Sequence, residues 1–366
     1  MDQEHAGPEA SRPLVVRLPV EPVEAAVEAD ALDAAARTHA VAVRGPVFGV
    51  AARRGGGTRW RVVVPLTAAC GQEARDSLNS HLWFRAKDEA RDRAERAALL
   101  AAVARLESER IDELTVEGRV FRVVRAEEYA ATGAFGIELP RPTDPEPLRP
   151  DWARSTTSRD VDQGLVLDMD APVRPSQAAE MLALRDLCYS GARFPADVLD
   201  DSRAAVDTHP DVLLLPATFA VMEQDGEGWK PYSGPHPSAH EARKSLDFAL
   251  TWMQPRLHGL IPVSGDPGAD ARTFTAGDRA AAVRLAAYAQ AADRLRAGRV
   301  NQLDFQGTVY RVARTRRLVR WGPDGPEGPR RSDPDSHEPC RLHPPMDEDG
   351  KVLPEPEAGE GEGEGD

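Results

Sequence analysis

The chain has 366 residues, of which 41% are hydrophobic, enough for two domains that each bury a core. Its formal charge of −14 argues against a general nucleic-acid or anionic-membrane binder, which spreads positive potential over a face. Nine carboxylates and one lysine in residues 346–366 account for −8 of that charge and leave −6 on the rest, so most of the chain is only mildly acidic.

Cys70, Cys188 and Cys340 are odd in number, far apart and free of C-x-x-C spacing, so reduced thiols are expected in place of a disulfide framework or zinc ribbon. The first residues are acidic and polar, and no apolar run approaches the ~18 residues of a membrane span. A cytoplasmic protein without membrane contact is expected.

In chain order, residues 1–13 read as a disordered lead-in. LVVRLPV follows as a short strand, and EPVEAAVEADALDAAART as an Ala/Glu-rich helix with Pro22 in its first turn. PVFGVAARR and TRWRVVVPL read as an antiparallel hairpin around Gly55, Gly56 and Gly57, with Trp60, Val62 and Val64 alternating onto one face. From Glu73 the period lengthens. Ala74, Leu78 and Leu82, then Leu99, Val103 and Leu106 after a charged joint at 87–93, predict two helices. ELTVEGRVFRVVR closes this half as a hairpin turning at Glu117-Gly118, because glycine accepts the positive φ of a primed turn. That register puts Leu114, Val116, Phe121 and Val123 on a core face, and Val120, Arg122 and Val124 on the other.

Five prolines between 138 and 160 predict an extended, semi-rigid connection. The pattern then restarts with LVLDMD as a strand and a helix from Ser176, its stripe made by Met181, Leu184 and Cys188 and its end marked by Gly191. VLLLPATFAVMEQ, the DGEG turn and Trp229 echo residues 47–60, although Pro216 requires an edge, a bulge or a strand boundary. SAHEARKSLDFALTWM opens on a Ser238/Glu241 capping box, buries Ala242, Leu246, Leu250 and Met253, and matches EARDSLNSHLWF of the first half. A Pro/Gly/Asp-rich insertion at 255–277 precedes a helix carrying Leu285, Tyr288 and Leu295. QLDFQGTVYRVAR repeats the first hairpin, turning at Gln306-Gly307 with Leu303, Phe305, Tyr310 and Val312 inward. From Trp321 onward Pro, Gly and acidic residues dominate, and a disordered tail is expected.

Together these elements predict an α+β protein of two related domains, each a mostly antiparallel sheet with helices packed on one face, related by a pseudo-two-fold duplication. The expected boundaries are a lead-in at 1–13, a first copy at 14–137, a linker at 138–160, a second copy at 161–320 and an acidic tail at 321–366. The paired G-x-[VT]-[FY]-R-V hairpins, the EAR-x-SL helix and the WGPDGPEGPRRSDPDSHEP tail resemble a family of actinobacterial proteins with no assigned activity, over most of the chain. That resemblance implies neither a cofactor nor catalytic residues.

Arg311, Arg314, Arg316, Arg317 and Arg320 crowd the end of the second hairpin, where the first has nothing comparable. Guanidinium forks suit an acidic protein surface or another polyanion. The other reading is a solvated strand end. The acidic tail lies within reach of this run and is expected to compete with an external anion for it. His337, Cys340 and His343 stand as H-E-P-C-R-L-H, which matches no zinc module, and a helix start separates His236 from His240, so no metal is assigned. Trp60 and Trp229 are read as core in preference to a ligand pocket. Neither G-x-S-x-G nor a P-loop is present, and no catalytic pair is assigned. The expected function is a non-enzymatic binding or regulatory module. The alternative is a hydrolase or transferase whose site assembles at the interdomain cleft.

Overall fold

The computed structural model describes residues 12–154, 161–162, 164–226 and 228–353. The first half contains α1 (Pro22–Ala36), β1 (Thr38–Arg54), β2 (Trp60–Ala68), α2 (Gly71–Asp88), α3 (Arg93–Leu106), β3 (Glu113–Val116), β4 (Arg119–Gly133) and β5 (Gly136–Ile137). Then come β6 (Val166–Leu167), α4 (Pro175–Leu184), α5 (Ala196–Thr208), β7 (Asp211–Leu214), β8 (Thr218–Asp225) and β9 (Gly228–Pro231). The chain continues through α6 (Ala239–Phe248), α7 (Gln254–Leu257), α8 (Arg279–Ala297), β10 (Gln302–Phe305), β11 (Thr308–Gly322) and β12 (Gly325–Pro326).

Both hairpins have the expected turn. Glu117 and Gly118 lie at φ 49° and 67°, and Gln306 and Gly307 at 51° and 83°, the paired left-handed residues of a type I′ turn. Leu114 pairs with Phe121 and Leu303 with Tyr310, which buries all four. The helices over them begin at side-chain caps: Asp92 accepts from the Glu95 amide, Ser238 from Glu241 and Asp278 from Ala281. Ala74, Leu78, Leu82, Leu99 and Val103 pack on Phe48, Val50, Phe121 and Val123 in one core. Ala242, Leu246, Leu250, Leu285 and Leu295 pack on Phe219, Val221, Tyr310 and Val312 in a second. Met253, expected among them, is only half-buried, in a π-helical turn at Ala249–Met253.

The fold is α+β with a large antiparallel sheet. Its strands follow the order β6-β2-β1-β4-β11-β8-β9, with the short strands attached to β4 and β11. Strands of both halves therefore share one sheet, joined where Tyr129, Glu128 and Glu127 of β4 pair with Arg316, Arg317 and Leu318 of β11. Around that seam lie two further cores. Val124, Ala126, Val319 and Trp321 pack with Trp60 and Leu66 on one face, and Tyr129 and Leu318 pack with Met181 and Leu184 of α4 on the other. Pro216 falls between β7 and β8, at a strand boundary where its missing donor costs nothing.

Three expectations need correction. LVVRLPV supplies a single parallel bridge, Val16 to Val173, in a stretch bounded by Pro13 and Pro19, neither of which can donate to a longer ladder. Cys188 is exposed: α4 stops at Leu184, and the carbonyls of Arg185 and Leu187 turn to accept hydrogen bonds from Arg320. Residues 321–353 are ordered against the first half. Asp333 pairs with Arg125 at 2.9 Å, Asp335 with Arg75 at 3.0 Å, and His343 stacks on Trp83 at 4.6 Å. A count of apolar side chains misses such a segment, because two of its carboxylates, Asp333 and Asp335, hold it on buried arginines. The rest of the expected tail, 354–366, and the lead-in at 1–11 lie outside the described residues.

Candidate functional site

Beyond each long strand the chain makes the same turn. GIELPRPTD at 136–144 and GPEGPRRSD at 325–333 share Gly, Glu, Pro, Arg and Asp, 189 residues apart, the spacing of the hairpins (303 − 114). Each turn lies on the opposite half. Arg311 stacks over Trp229 at 4.7 Å and donates to the Phe135 carbonyl at 2.7 Å. Arg122 stacks over Trp60 at 5.1 Å and donates to the carbonyls of Asp324 and Pro326 at 3.3 and 3.2 Å. The approach favours glycine, since Gly136 and Gly325 have φ 92° and 124°, and a Cβ on Gly325 would stand 2.9 Å from Trp60 Nε1. Trp60 and Trp229 are thus parts of two clamps.

The five arginines of the run do not form one solvent-facing strip. The two-residue period of β11 sends Arg314, Arg316 and Arg320 to one face and Arg311 and Arg317 to the other, and both faces are covered. Arg317 is fully buried on Asp162 and the Leu66 carbonyl. Arg320 donates to the carbonyls of Arg185, Leu187 and His209. Arg314 holds Asp144 at 3.1 Å, and Arg316 holds Glu180 of α4. The described part of the tail meets other cations: Asp349 pairs with Arg93 at 2.6 Å, and the Glu348 carbonyl accepts from Arg96 at 2.8 Å.

Arg314 and Arg316 border a cleft of about 900 Å³ between α1, α4 and the middle of the sheet. Its walls are apolar, with Val27 and Ala31 from α1, Ala179 and Ala183 from α4, and Val41 and Ala131 from β1 and β4. Its polar floor sets four arginines (141, 174, 314 and 316) against three carboxylates, Glu138, Asp144 and Glu180. Arg141 pairs with Glu138 at 2.5 Å, and the Tyr129 hydroxyl donates to Glu180 at 2.7 Å. Burial pushes that hydroxyl well above its ordinary value, so it remains a donor. Helix α1 is pinned over the cleft by Glu28, which accepts from the Ser176 amide and hydroxyl at 2.6 and 2.7 Å, and by Asp30, which accepts from Thr143. Apolar walls around a few convergent polar groups are the usual make-up of a small-molecule site.

The corresponding place at the second turn is filled. Arg125, 1% exposed, binds Asp333 through Nε at 2.9 Å and Glu127 through Nη1 at 2.5 Å. The Tyr189 hydroxyl donates to Glu127 at 2.6 Å and accepts from Arg125 at 3.4 Å, and Phe194 stacks on its ring at 4.7 Å. The two guanidiniums differ electrostatically. Burial opposes the charge on Arg125, yet Glu127, Asp333 and Glu327 outweigh it and hold the group above its ordinary value. At Arg314 burial outweighs Asp144 and holds the group below it.

The candidate metal groups separate. His337 meets Asp76 at 2.6 Å, His343 meets Ser80 at 2.9 Å, and Cys340 is exposed. His240 is buried on the Asp151 carbonyl at 2.9 Å, whereas His236 meets Ser233 at 3.2 Å. Among the described residues no three possible metal ligands gather, and no helix is long and apolar enough to cross a membrane. Sequence reasoning missed Glu138, Asp144, Glu180 and Arg125. The signal for the first two was the G-x-E-x-P-R-x-[TS]-D repeat at the spacing of the hairpins, hidden in what read as linker and tail. Neither curated proteins nor solved structures give a match. The model of a family of unknown function (DUF5954) matches residues 21–336, from α1 through the second turn, and the chain belongs to that family.

Proposed function

We propose that this protein is a non-enzymatic binding or regulatory module, built by internal duplication, whose ligand site is the cleft beneath α1 and α4. One observation carries the reading: Tyr189 and Phe194 fill the space beside Arg125, whereas the space beside Arg314 is an open cleft of about 900 Å³. Duplication supplies two equivalent positions, and one is closed by the chain itself.

The duplication, with copies at 14–137 and 161–320 that exchange their following turns, is supported by paired contacts. Arg75 holds Asp112 and Asp335, and Arg243 holds Asn301 and Glu146. Asp30 accepts from Thr143, and Asp201 from the Ser332 amide. The Arg125 amide donates to the Glu327 carbonyl, and the Arg314 amide to that of Glu138. Binding is favoured over hydrolysis or transfer because each cleft carboxylate is engaged by a guanidinium: Glu138 by Arg141, Asp144 by Arg314, Glu180 by Arg316. The free thiols of Cys70, Cys188 and Cys340 suit a reducing compartment, and we place the protein in the cytoplasm.

Titration with the neutral fluorescent probe N-phenyl-1-naphthylamine tests the site. The wild type is expected to bind it and gain thermal stability. Ala131→Trp, which fills the cleft from β4, is expected to abolish both effects. Equal binding by the two proteins refutes the assignment of the cleft.

A further inference from the structure

Beneath the second turn, Arg125 of β4 finds a carboxylate two residues along its own strand, at Glu127, and its Nη1 donates to it at 2.5 Å. Residues i and i+2 of a strand share a face, so this pair is built into the backbone. At the open cleft the equivalent position holds Arg316, and the carboxylate is replaced by a second cation. Arg314 Nη1 and Arg316 Nε are consequently buried with no hydrogen-bond partner among the described residues, and Arg314 as a whole is only 8% exposed. The Glu138 carboxylate stands 4.0 Å from Arg314 Nη1, beyond hydrogen-bonding distance. Arg174, also on the cleft, makes no ion pair with a described residue. A buried guanidinium donor without an acceptor is costly, and a charged acceptor relieves that cost most fully.

We propose that the ligand of this cleft is an amphiphile with one compact anionic group, a carboxylate or phosphate, which docks between Arg314 and Arg316 in the role that Glu127 plays for Arg125. The inference rests on the cleft being a small-molecule site and adds the charge and shape of what enters it. The head is anionic because the floor carries a surplus of guanidinium donors. The body is apolar because the walls are Val27, Ala31, Val41, Ala131, Ala179 and Ala183. A guanidinium pair bordering an apolar cleft selects a charged head that accepts several hydrogen bonds, over an alcohol with two neutral lone pairs and an ammonium group with none.

The test is calorimetric titration of the full chain with decanoate, decyl phosphate, 1-decanol and decylammonium, each below its micellar concentration. One of the two anions is expected to bind at least tenfold more tightly than decanol, and the ammonium more weakly than decanol. Which anion leads distinguishes a carboxylate ligand from a phosphate ester. Arg316→Glu recreates the Arg125–Glu127 arrangement inside the cleft and is expected to bring the leading anion down to the level of decanol. If Glu180 repels the new carboxylate and that variant does not fold, Arg316→Gln serves, with the same loss expected. Decanol binding as tightly as both anions overturns the inference while leaving the cleft as an apolar site. Persistence of the anion preference in a folded Arg316 variant overturns it as well. Failure of the wild type to bind any of the four removes the small-molecule site itself.

Discussion

Removal of Asp333 and of Asp144 tests whether the two reciprocal ion pairs differ as their surroundings require. Each carboxylate receives Nε of a strand arginine, Arg125 at 2.9 Å and Arg314 at 3.1 Å, and each accepts an amide of its own turn at 2.7 Å, Arg330 and Arg141 respectively. The local chemistry is therefore matched. In Asp333→Ala the Arg125 guanidinium keeps Glu127 but loses the acceptor of its Nε in a place sealed by Tyr189 and Phe194, and a buried charged donor left without an acceptor or water costs roughly 3 kcal/mol. In Asp144→Ala the space vacated by the carboxylate opens onto the cleft, so water can enter and take its place on the Arg314 guanidinium, and the expected cost is about 1–2 kcal/mol. Urea denaturation of the two variants measures both numbers, with unchanged m-values as the check that the transition remains comparable. Equal losses, or a larger loss for Asp144→Ala, would refute the argument that one position is sealed and the other open.

Phe121, 1% exposed at the centre of the first core, should cost about 3–5 kcal/mol when replaced by alanine, and a loss below about 1 kcal/mol in chemical denaturation contradicts its packing role. Gly118→Val and Gly307→Val should each destabilise by about 1–3 kcal/mol through backbone strain alone, since both residues have positive φ and nothing lies within 4 Å of an added Cβ. Thermal melts that match wild type would show that the turns relax without penalty. Burial holds the His236 imidazole down to about 4. The unfolded chain therefore binds that proton first, and stability present above about pH 6.5 is lost as pH falls towards 4, by on the order of 2 kcal/mol. His236→Gln should flatten this part of the stability profile, with a residual slope from His81 and His209, which burial also lowers. An unchanged profile would place the acid sensitivity elsewhere.

Local signals in the chain determine the units of this protein. Glu117-Gly118 and Gln306-Gly307 dictate primed turns because few residues tolerate consecutive positive φ, and the turn then fixes which side chains of β3, β4, β10 and β11 point inward. The 3.6-residue stripes of α2, α3, α6 and α8 are legible for the same reason: each element must hide one face. Contacts between elements of distant halves carry no such periodicity. The turns at 136–144 and 325–333 contain too few apolar groups to announce packing, and they are ordered by carboxylates that meet arginines of the opposite half. The arginine run looked like a charged surface because one-dimensional spacing does not say which strand faces are covered. The cleft depends further on an accident of filling, with Tyr189 entering one position and no described side chain entering the other. Only the tertiary structure decides that, because it follows from where α1, α4 and the segment before α5 settle on the sheet, which leaves Arg125 with Glu127 on its own strand and Arg314 Nη1 without such an acceptor.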